Sequence, residues 1–128
     1  MAYLKAPWFT RAIFNKIAMA TGVGGSQTLT VTKRLSRQPQ QIPVVVPEVD
    51  GVKYLVSTRG EAEWVKNVRA IPEVMVGDRK YAAQEIPVEQ RAPVIAAYRP
   101  LAGKVVEGYW RQLPDDADHP VFALTPKG

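Results

Sequence analysis

The sequence predicts a small α+β domain, a β-barrel of about six mostly antiparallel strands with short helices inserted between them. Short β-branched and aromatic runs recur along the chain, as expected of strands. Two pairs typical of tight turns, Asp50-Gly51 and Gly77-Asp78, lie between such runs. At residues 61–71 the apolar spacing changes to that of a helix. The chain has 128 residues, 46% of them hydrophobic, which is enough for one buried core.

Alternation and turn residues predict the individual strands. Residues 27–32 alternate between apolar and threonine side chains, as in a half-buried strand. Asp50-Gly51 is predicted to join the second strand to the third, so that the first three strands form one consecutive antiparallel unit. The second strand has Pro43 and Pro47 near its ends, where a missing ladder donor is tolerated. The predicted strands are residues 27–32, 42–46, 52–57, 74–76, 80–86 and 120–125.

The stretch 61–71 is the most clearly amphipathic segment of the barrel domain. Trp64, Val65 and Val68 recur at the spacing of one buried helical face. Ser57 or Thr58 is the predicted N-cap of this helix. Two acidic residues, Glu61 and Glu63, fall in its first turn, where carboxylates complement the helix dipole.

Three further helices are predicted. Residues 7–20 form an amphipathic helix and residues 21–26 a flexible connector, leaving 27–128 as the barrel domain. Another helix runs from Pro87 to a break at Pro100, and residues 104–113 add a helical turn or two. The helix at 7–20 could lie on a membrane surface, although helices of this length more often pack over their own core.

The composition excludes several classes of site. There is no cysteine, which rules out disulfides, thiolate metal sites and a cysteine nucleophile. The single histidine, His119, follows the acidic residues of 115–118 and is predicted to lie in a solvated loop, so no metal site is expected. The chain lacks a signal-peptide pattern and a long apolar run, so a soluble cytoplasmic protein is expected. An enzyme with this inventory would take its reactivity from a bound cofactor.

The net charge of +5 is concentrated in the first half of the chain. Residues 1–69 contain ten Lys and Arg against four Asp and Glu, whereas residues 70–128 contain seven against eight. This asymmetry indicates an anionic partner, and leaves open a phosphorylated cofactor, an anionic membrane surface or nucleic acid. Nucleic acid is disfavoured because the basic residues are not interleaved with aromatic residues along one strand face.

Two basic turns that follow predicted strands form the candidate anion site. The first is KRLSRQPQ at residues 33–40, and the second is Ser57-Thr58-Arg59-Gly60. The second precedes a helix, where backbone N–H groups, the dipole and a guanidinium favour a phosphate. A turn like the first is, on its own, more often a solvated hairpin, and the second is equally compatible with an ordinary β–α connection. Since the strands are predicted to be hairpin neighbours, we expect the two turns to converge on one extended polyanion.

Aromatic residues near the C-terminus form a second candidate site. Tyr98, Tyr109 and Trp110 could border a pocket for a flat ring system, or could be ordinary core residues. Tyr98 lies on the inner face of its predicted helix and offers both a ring and a hydroxyl donor.

Residues 54–74, YLVSTRGEAEWVKNVRAIPEV, resemble the strand, turn and helix of the deazaflavin-dependent nitroreductases, a family of actinobacterial split-barrel oxidoreductases. The likeness extends over residues 27–125. TKRLSRQPQQIP, at residues 32–43, occupies the place of the family's first turn, T-x-GRKSG-x-PR-x-x-P. Trp64 and Asn67 match the family's W-x-x-N-L-x-A-x-P helix, and HPVFALTP at 119–126 is similar to its last strand.

The resemblance implies a split β-barrel that binds the deazaflavin coenzyme F-420 and passes its hydride to a quinone, nitro or enone acceptor. The acidic phosphate and polyglutamate tail of that coenzyme would account for the basic first half. Tyr98 and Tyr109 would border the substrate, and Tyr98 and Ser57 would be catalytic, donating hydrogen bonds to the anion that forms. The cofactor-binding residues implied by position are Lys33, Arg34, Ser36, Gln38, Gln40, Ser57, Thr58, Arg59, Gly60 and Trp64.

The first turn departs from the family pattern at four positions. Lys33 and Arg37 stand where the family has Gly, Leu35 where it has a basic residue, and Gln40 where it has Arg. A long side chain at a glycine position changes how closely the backbone can approach a phosphate. The alternative interpretation is therefore a non-catalytic split-barrel protein that binds another flavin, such as FMN, or a lipid-like ligand. The acceptor and the oligomeric state are left open.

Overall fold

The computed structural model describes residues 26–103 and 106–127. The predicted helix at 7–20 and residues 21–25 of the connector lie outside the described residues. The strands are β1 (Ser26–Thr32), β2 (Pro39–Val45), β3 (Glu48–Val49), β4 (Val52–Val56), β5 (Glu73–Val76), β6 (Arg79–Glu85) and β7 (Val121–Pro126). The helices are α1 (Glu63–Ala70), α2 (Ala92–Ala102) and α3 (Glu107–Gln112), with short 3-10 turns at Val88–Gln90 and Asp116–Asp118.

The seven strands form one antiparallel sheet in the order β2-β1-β5-β6-β7-β4-β3. β2 and β3 stand at opposite ends of this order, yet only Val46 and Pro47 separate them in the chain. Because a link of this length spans at most about 11 Å, the sheet must curl until its two ends meet. We call the line where β2 meets β3 and β4 the seam. Among the described strands, no ladder pairs β2 with β3 or β4, and the link is held by the Tyr54 N–H, which donates to the Pro47 carbonyl at 3.0 Å.

The α+β class and the antiparallel sheet are confirmed, but the predicted hairpin between the second and third strands is wrong. Asp50-Gly51 does form a tight turn with positive φ values of 53° and 81°. It joins the short β3 to β4, which pair at Val49 and Val52. β2 pairs along its whole length with β1, as predicted, but has no ladder with β4 in the described sheet. Pro43 therefore lies within β2 rather than near its end, and is tolerated because the other side of β2 faces the seam.

Two apolar clusters lie on the two faces of the sheet. The inner cluster fills the barrel beneath α1, and the outer cluster packs α2 and α3 against the outer face of the sheet. Neighbours on β7 show the alternation directly, since Phe122 belongs to the inner cluster and Val121 to the outer one. The inner cluster includes Leu29, Val31, Leu55, Trp64, Val65, Val68, Val74, Tyr81 and Phe122. The outer cluster includes Val45, Val94, Ile95, Tyr98, Ala102, Tyr109, Trp110 and Val121.

Two details of the predicted helices are wrong. The N-cap of α1 is Ala62, with no side-chain cap hydrogen bond, because the Ser57 hydroxyl instead donates to the Gly60 carbonyl at 2.7 Å. Pro100 lies inside α2 rather than ending it, and the helix continues to Ala102. A proline this close to a helix end removes one backbone hydrogen bond, and the burial of Ala102 in the outer cluster offsets that loss.

The β5–β6 turn allows a simple test of backbone strain. Gly77 has φ 62°, and a Cβ placed on it would meet open space. Gly77→Ala therefore introduces strain without a clash, and we expect it to lower the free energy of unfolding by about 1 kcal/mol. Urea denaturation would measure the change. Gly108→Ala in α3 is the matched control, since alanine is the better helix former there and should stabilise by up to about 1 kcal/mol; equal effects at the two sites would contradict the strain argument.

Candidate functional site

A cationic recess lies between the β1–β2 turn and the start of α1. Its volume is about 350 Å³, within the range of about 300–1000 Å³ typical of ligand pockets. Four of the residues implied as cofactor-binding line this recess, together with three that were not. The lining residues are Lys33, Arg34, Leu35, Ser36, Gln40, Glu63 and Asn67.

Asn67 organises the recess from the buried face of α1. Its side chain is only 3% exposed. Its Oδ1 accepts from the backbone N–H of Arg34 at 3.1 Å and from the Arg34 Nη1 at 2.8 Å. Its Nδ2 donates to Gln40 Oε1 at 3.0 Å. One buried amide thus fixes both sides of the β1–β2 turn and orients the guanidinium of Arg34.

Glu63 holds the outer side of the same guanidinium. Arg34 Nη2 lies 3.1 Å from Glu63 Oε1, and Lys66 Nζ lies 3.5 Å from Glu63 Oε2. The hydrogen bond from Arg34 is the main cause that lowers the pKa of Glu63 below its usual range. The carboxylate is therefore ionised at neutral pH. The sequence assigned Glu63 only to the dipole of α1, so its position in the recess was not predicted.

The backbone of the β1–β2 turn resembles that of a glycine-containing turn. Arg37, one of the two residues that replace a family glycine, has φ 65°, in the left-handed region that glycine favours. The turn is closed by backbone hydrogen bonds of 2.9 Å from Lys33 N to Gln38 O and from Arg37 N to Lys33 O. The Ser36 hydroxyl oxygen accepts from the Gln38 N–H at 3.2 Å. Arg37 thus holds a backbone conformation that glycine adopts without strain.

An apolar cleft crosses the seam beside the recess. Side chains from β2 and β4 form its two sides, so it opens where no ladder joins the strands. Its enclosed volume is about 20 Å³, far below the range for ligand pockets. A flat ring system could enter only if side chains at the mouth moved. The lining residues are Ile42, Val44, Val45, Leu55, Val56, Thr58, Arg59, Trp64 and Tyr98.

The recess and the cleft are neighbours along two elements. On β2, Gln40 lines the recess while Ile42 and Val44 line the cleft; alternate residues share one face and lie about 7 Å apart. On α1, the adjacent residues Glu63 and Trp64 line the recess and the cleft respectively. The two basic turns therefore border one continuous surface, although their strands are not hairpin neighbours as predicted.

Four implied site residues do not line either cavity. Ser57 is 1% exposed, and its hydroxyl donates within its own turn to the Gly60 carbonyl, so its predicted catalytic role is not favoured by its position. Gly60 is buried with φ 77°. Gln38 is exposed in the first turn. Tyr109 packs in the outer cluster.

Tyr98 does line the cleft, as predicted, although it is only 4% exposed. Burial is the main cause that raises the pKa of its phenol well above the usual range. Its hydroxyl therefore stays protonated at neutral pH and can act as a donor. The assignment of Tyr98 as catalytic stays a prediction.

Sequence reasoning missed the position of His119. Instead of lying in a solvated loop, its side chain is fully buried and stacks on Trp110, with ring centroids 4.0 Å apart. Its ring nitrogens face the carbonyl oxygens of Ser57 at 2.9 Å and Leu113 at 2.6 Å. The imidazole thus supports the Ser57 turn from inside the protein. Its acidic neighbours gave no signal of burial.

Arg91 is a second buried polar residue that the sequence did not indicate. It is 6% exposed. Its guanidinium donates to the carbonyl oxygens of Ile86 and Asp116 at 3.2 Å each, and its Nη2 pairs with Glu85 at 3.2 Å. Arg91 therefore ties the start of α2 to the loop that carries His119.

None of the helices in the described ranges is long and apolar enough to cross a membrane. The predicted membrane contact at 7–20 falls outside those ranges.

Comparison with solved structures finds the same fold elsewhere. The chain is 25% identical to the F-420-H2 dependent reductase FDR-A, covering 80% of this chain and 95% of that chain with a TM-score of 0.53. A chain described as a domain-swapped dimer is 24% identical, over 94% of this chain and 100% of that chain, with a TM-score of 0.57. The heme storage protein HutZ from Vibrio cholerae is 12% identical, over 91% of each chain, with a TM-score of 0.63. The predicted split-barrel class is confirmed.

Sequence comparison gives the family. No curated protein matches the chain. The family described as F-420H(2)-dependent quinone reductase matches residues 9–126, nearly the whole sequence. The chain therefore belongs to the F-420H(2)-dependent quinone reductases, a family of oxidoreductases.

Proposed function

We propose that this protein binds coenzyme F-420 across the recess and the cleft, and reduces a quinone or a similar nitro or enone acceptor. The observation that carries the proposal is the continuity of the two cavities along β2 and α1. One is cationic and of ligand size, and the other is apolar with aromatic sides. A ligand with an anionic tail and a flat ring matches this pair of cavities in chemistry.

The residues of the recess fit the anionic tail of the coenzyme better than those of the cleft fit its ring. Lys33, Arg34 and Ser36 would hold the phosphate and carboxylates, since guanidinium and hydroxyl groups suit anionic oxygens. Trp64 and Tyr98 would border the ring, but the cleft must widen by far more than its 20 Å³. When bound, the reduced coenzyme supplies the hydride. The remaining work of the chain is to orient both partners and to exclude water.

Two groups of the cleft suit the charge that develops on a reduced quinone. Thr58 and Tyr98 both line the cleft, and each carries a hydroxyl that can donate to an anionic oxygen. The pKa of Tyr98 is raised by burial, so its proton is retained through the neutral range. We propose Tyr98 and Thr58 as donors to the acceptor, rather than Ser57, whose hydroxyl already donates to the Gly60 carbonyl.

Titration with coenzyme F-420 tests the cofactor assignment. We expect saturable quenching of the coenzyme's fluorescence in low salt, with weaker binding as salt rises because the tail contacts are ionic. FMN titrated under the same conditions is the comparison. No binding of F-420 at tens of micromolar would reject the proposal, and saturable binding of FMN alone would favour another flavin.

A turnover assay then tests the acceptor. We expect a soluble quinone to reoxidise the reduced coenzyme only when protein is present. Binding of the coenzyme without turnover of quinone, nitro or enone acceptors would support the non-catalytic alternative.

A further inference from the structure

We propose that Glu63 is a specificity-determining residue of the recess: its carboxylate competes with an anionic ligand for Arg34, so the recess favours polyanions over single anions. This inference rests on the proposed function only for the identity of the natural ligand. The competition itself is argued from the charges of the recess.

The cationic recess already contains an anion of its own. Lys33, Arg34 and Glu63 all line it, so the charged lining groups sum to one net positive charge. Glu63 contacts Arg34 at 3.1 Å and Lys66 at 3.5 Å. An incoming anion that binds Arg34 must share the guanidinium with this carboxylate or displace it.

The Nη2 group of the Arg34 guanidinium is the part that a ligand could reach if Glu63 moved away. Asn67 accepts from the backbone N–H and from Nη1, and Glu63 is paired with Nη2. Asn67 is buried and fixed, whereas the Glu63 side chain is 59% exposed. Glu63 is therefore the partner that can move away without breaking the turn.

Competition from Glu63 makes the recess select ligands by their number of negative charges. A single anion that displaces Glu63 exchanges one ion pair for another, and gains little because exposed pairs are weak. A ligand with several linked negative charges can pair with Arg34 and Lys33 together, and this adds a contact that Glu63 alone cannot provide. A phosphate joined to a carboxylate chain is a ligand of this kind.

Glu63→Gln tests the proposal, because glutamine keeps the shape and loses the charge. We expect coenzyme F-420 to bind the variant about two- to tenfold more tightly at low salt, with the gain lost at high salt. Tripolyphosphate, followed by NMR shifts of the recess amides, should also bind more tightly, and inorganic phosphate should gain at least as much, because it has no second charge to offset the competition from Glu63. Glu73→Gln is the matched control. Glu73 pairs with Lys127 away from the recess, and its substitution makes the same change in net charge.

The possible results distinguish the role of Glu63 from the identity of the cofactor. Unchanged or weaker binding of tripolyphosphate to Glu63→Gln would overturn the competition and would instead make Glu63 a positioning residue for Arg34. An equal gain in Glu73→Gln would reduce the effect to overall charge and would also overturn it. If tripolyphosphate behaves as expected but F-420 binds neither protein, the proposed cofactor fails while the role of Glu63 stands.

Discussion

His119→Ala is expected to lower the free energy of unfolding by roughly 3–5 kcal/mol. The substitution removes a fully buried ring that stacks on Trp110. It also leaves the carbonyl oxygens of Ser57 and Leu113 without their ring partners. For a domain of this size the melting temperature should fall by on the order of 10 °C or more. Thermal and urea unfolding followed by far-UV circular dichroism would measure both quantities.

Asp118→Asn serves as the control in the same segment. Asp118 is partly exposed, so its substitution should change stability by less than about 0.5 kcal/mol. A loss below 1 kcal/mol in His119→Ala would show that the two carbonyls find other partners. The same result would return this segment to the solvated loop that the sequence suggested.

Arg34→Met is expected to weaken binding of coenzyme F-420 by about 10- to 150-fold at low salt. This range corresponds to the loss of about 1.5–3 kcal/mol for a hydrogen bond to a charged group. The methionine side chain keeps much of the length of arginine but cannot donate to an anion or to Asn67, whereas the backbone N–H of residue 34 still donates to Asn67 Oδ1. Fluorescence titration of the purified variant would measure the affinity, and circular dichroism would confirm that it is folded.

Arg37→Met is the matched control for Arg34→Met. Arg37 lies in the same turn and is exposed, and it does not line the recess. Loss of Arg37 changes the net charge by the same amount as loss of Arg34, so Arg37→Met should affect only the screened long-range electrostatic attraction of the coenzyme. Equal weakening in both variants would argue for a diffuse electrostatic effect and against a defined contact at Arg34.

Strands and sequential hairpins were predictable from the sequence, whereas pairings between strands distant in the chain were not. The alternation that includes Leu29 and Val31 gave β1, and Gly77-Asp78 gave the β5–β6 hairpin. Both signals depend on residues close in the chain. The pairing of β2 with β1 was predicted correctly, whereas its pairing with the strand after Asp50-Gly51 was wrong, because these two residues specify a turn but not which strands precede and follow it. That choice depends on long-range packing, which a local pattern does not contain.

The candidate site was predicted only in part, because a local pattern shows the residues of one turn but not the distant residues that contact it. The basic turns were recognisable because Arg34 and Arg59 lie beside hydroxyl residues in short segments. Asn67 matches the family motif, but no role for it was predicted from the sequence. A polar residue three positions after Trp64 lies on the same, buried side of the helix, and that spacing could have indicated a structural amide. Glu63 could not have been placed, since its contact with Arg34 joins residues 29 positions apart.

The seam determines how a small cleft could admit a large planar molecule. Ile42 and Val44 stand on one side and Leu55 and Val56 on the other, and in the described sheet no inter-strand ladder ties these sides together. Moving the side chains between these two sides would leave the six ladders of the described sheet intact. The hydrogen bond from Tyr54 to the Pro47 carbonyl pins one end of the seam, and the hydrogen bond from Asn67 to Gln40 ties the other end of β2 to α1, so a planar ring would be admitted by the side chains between these two points, without any loss of secondary structure.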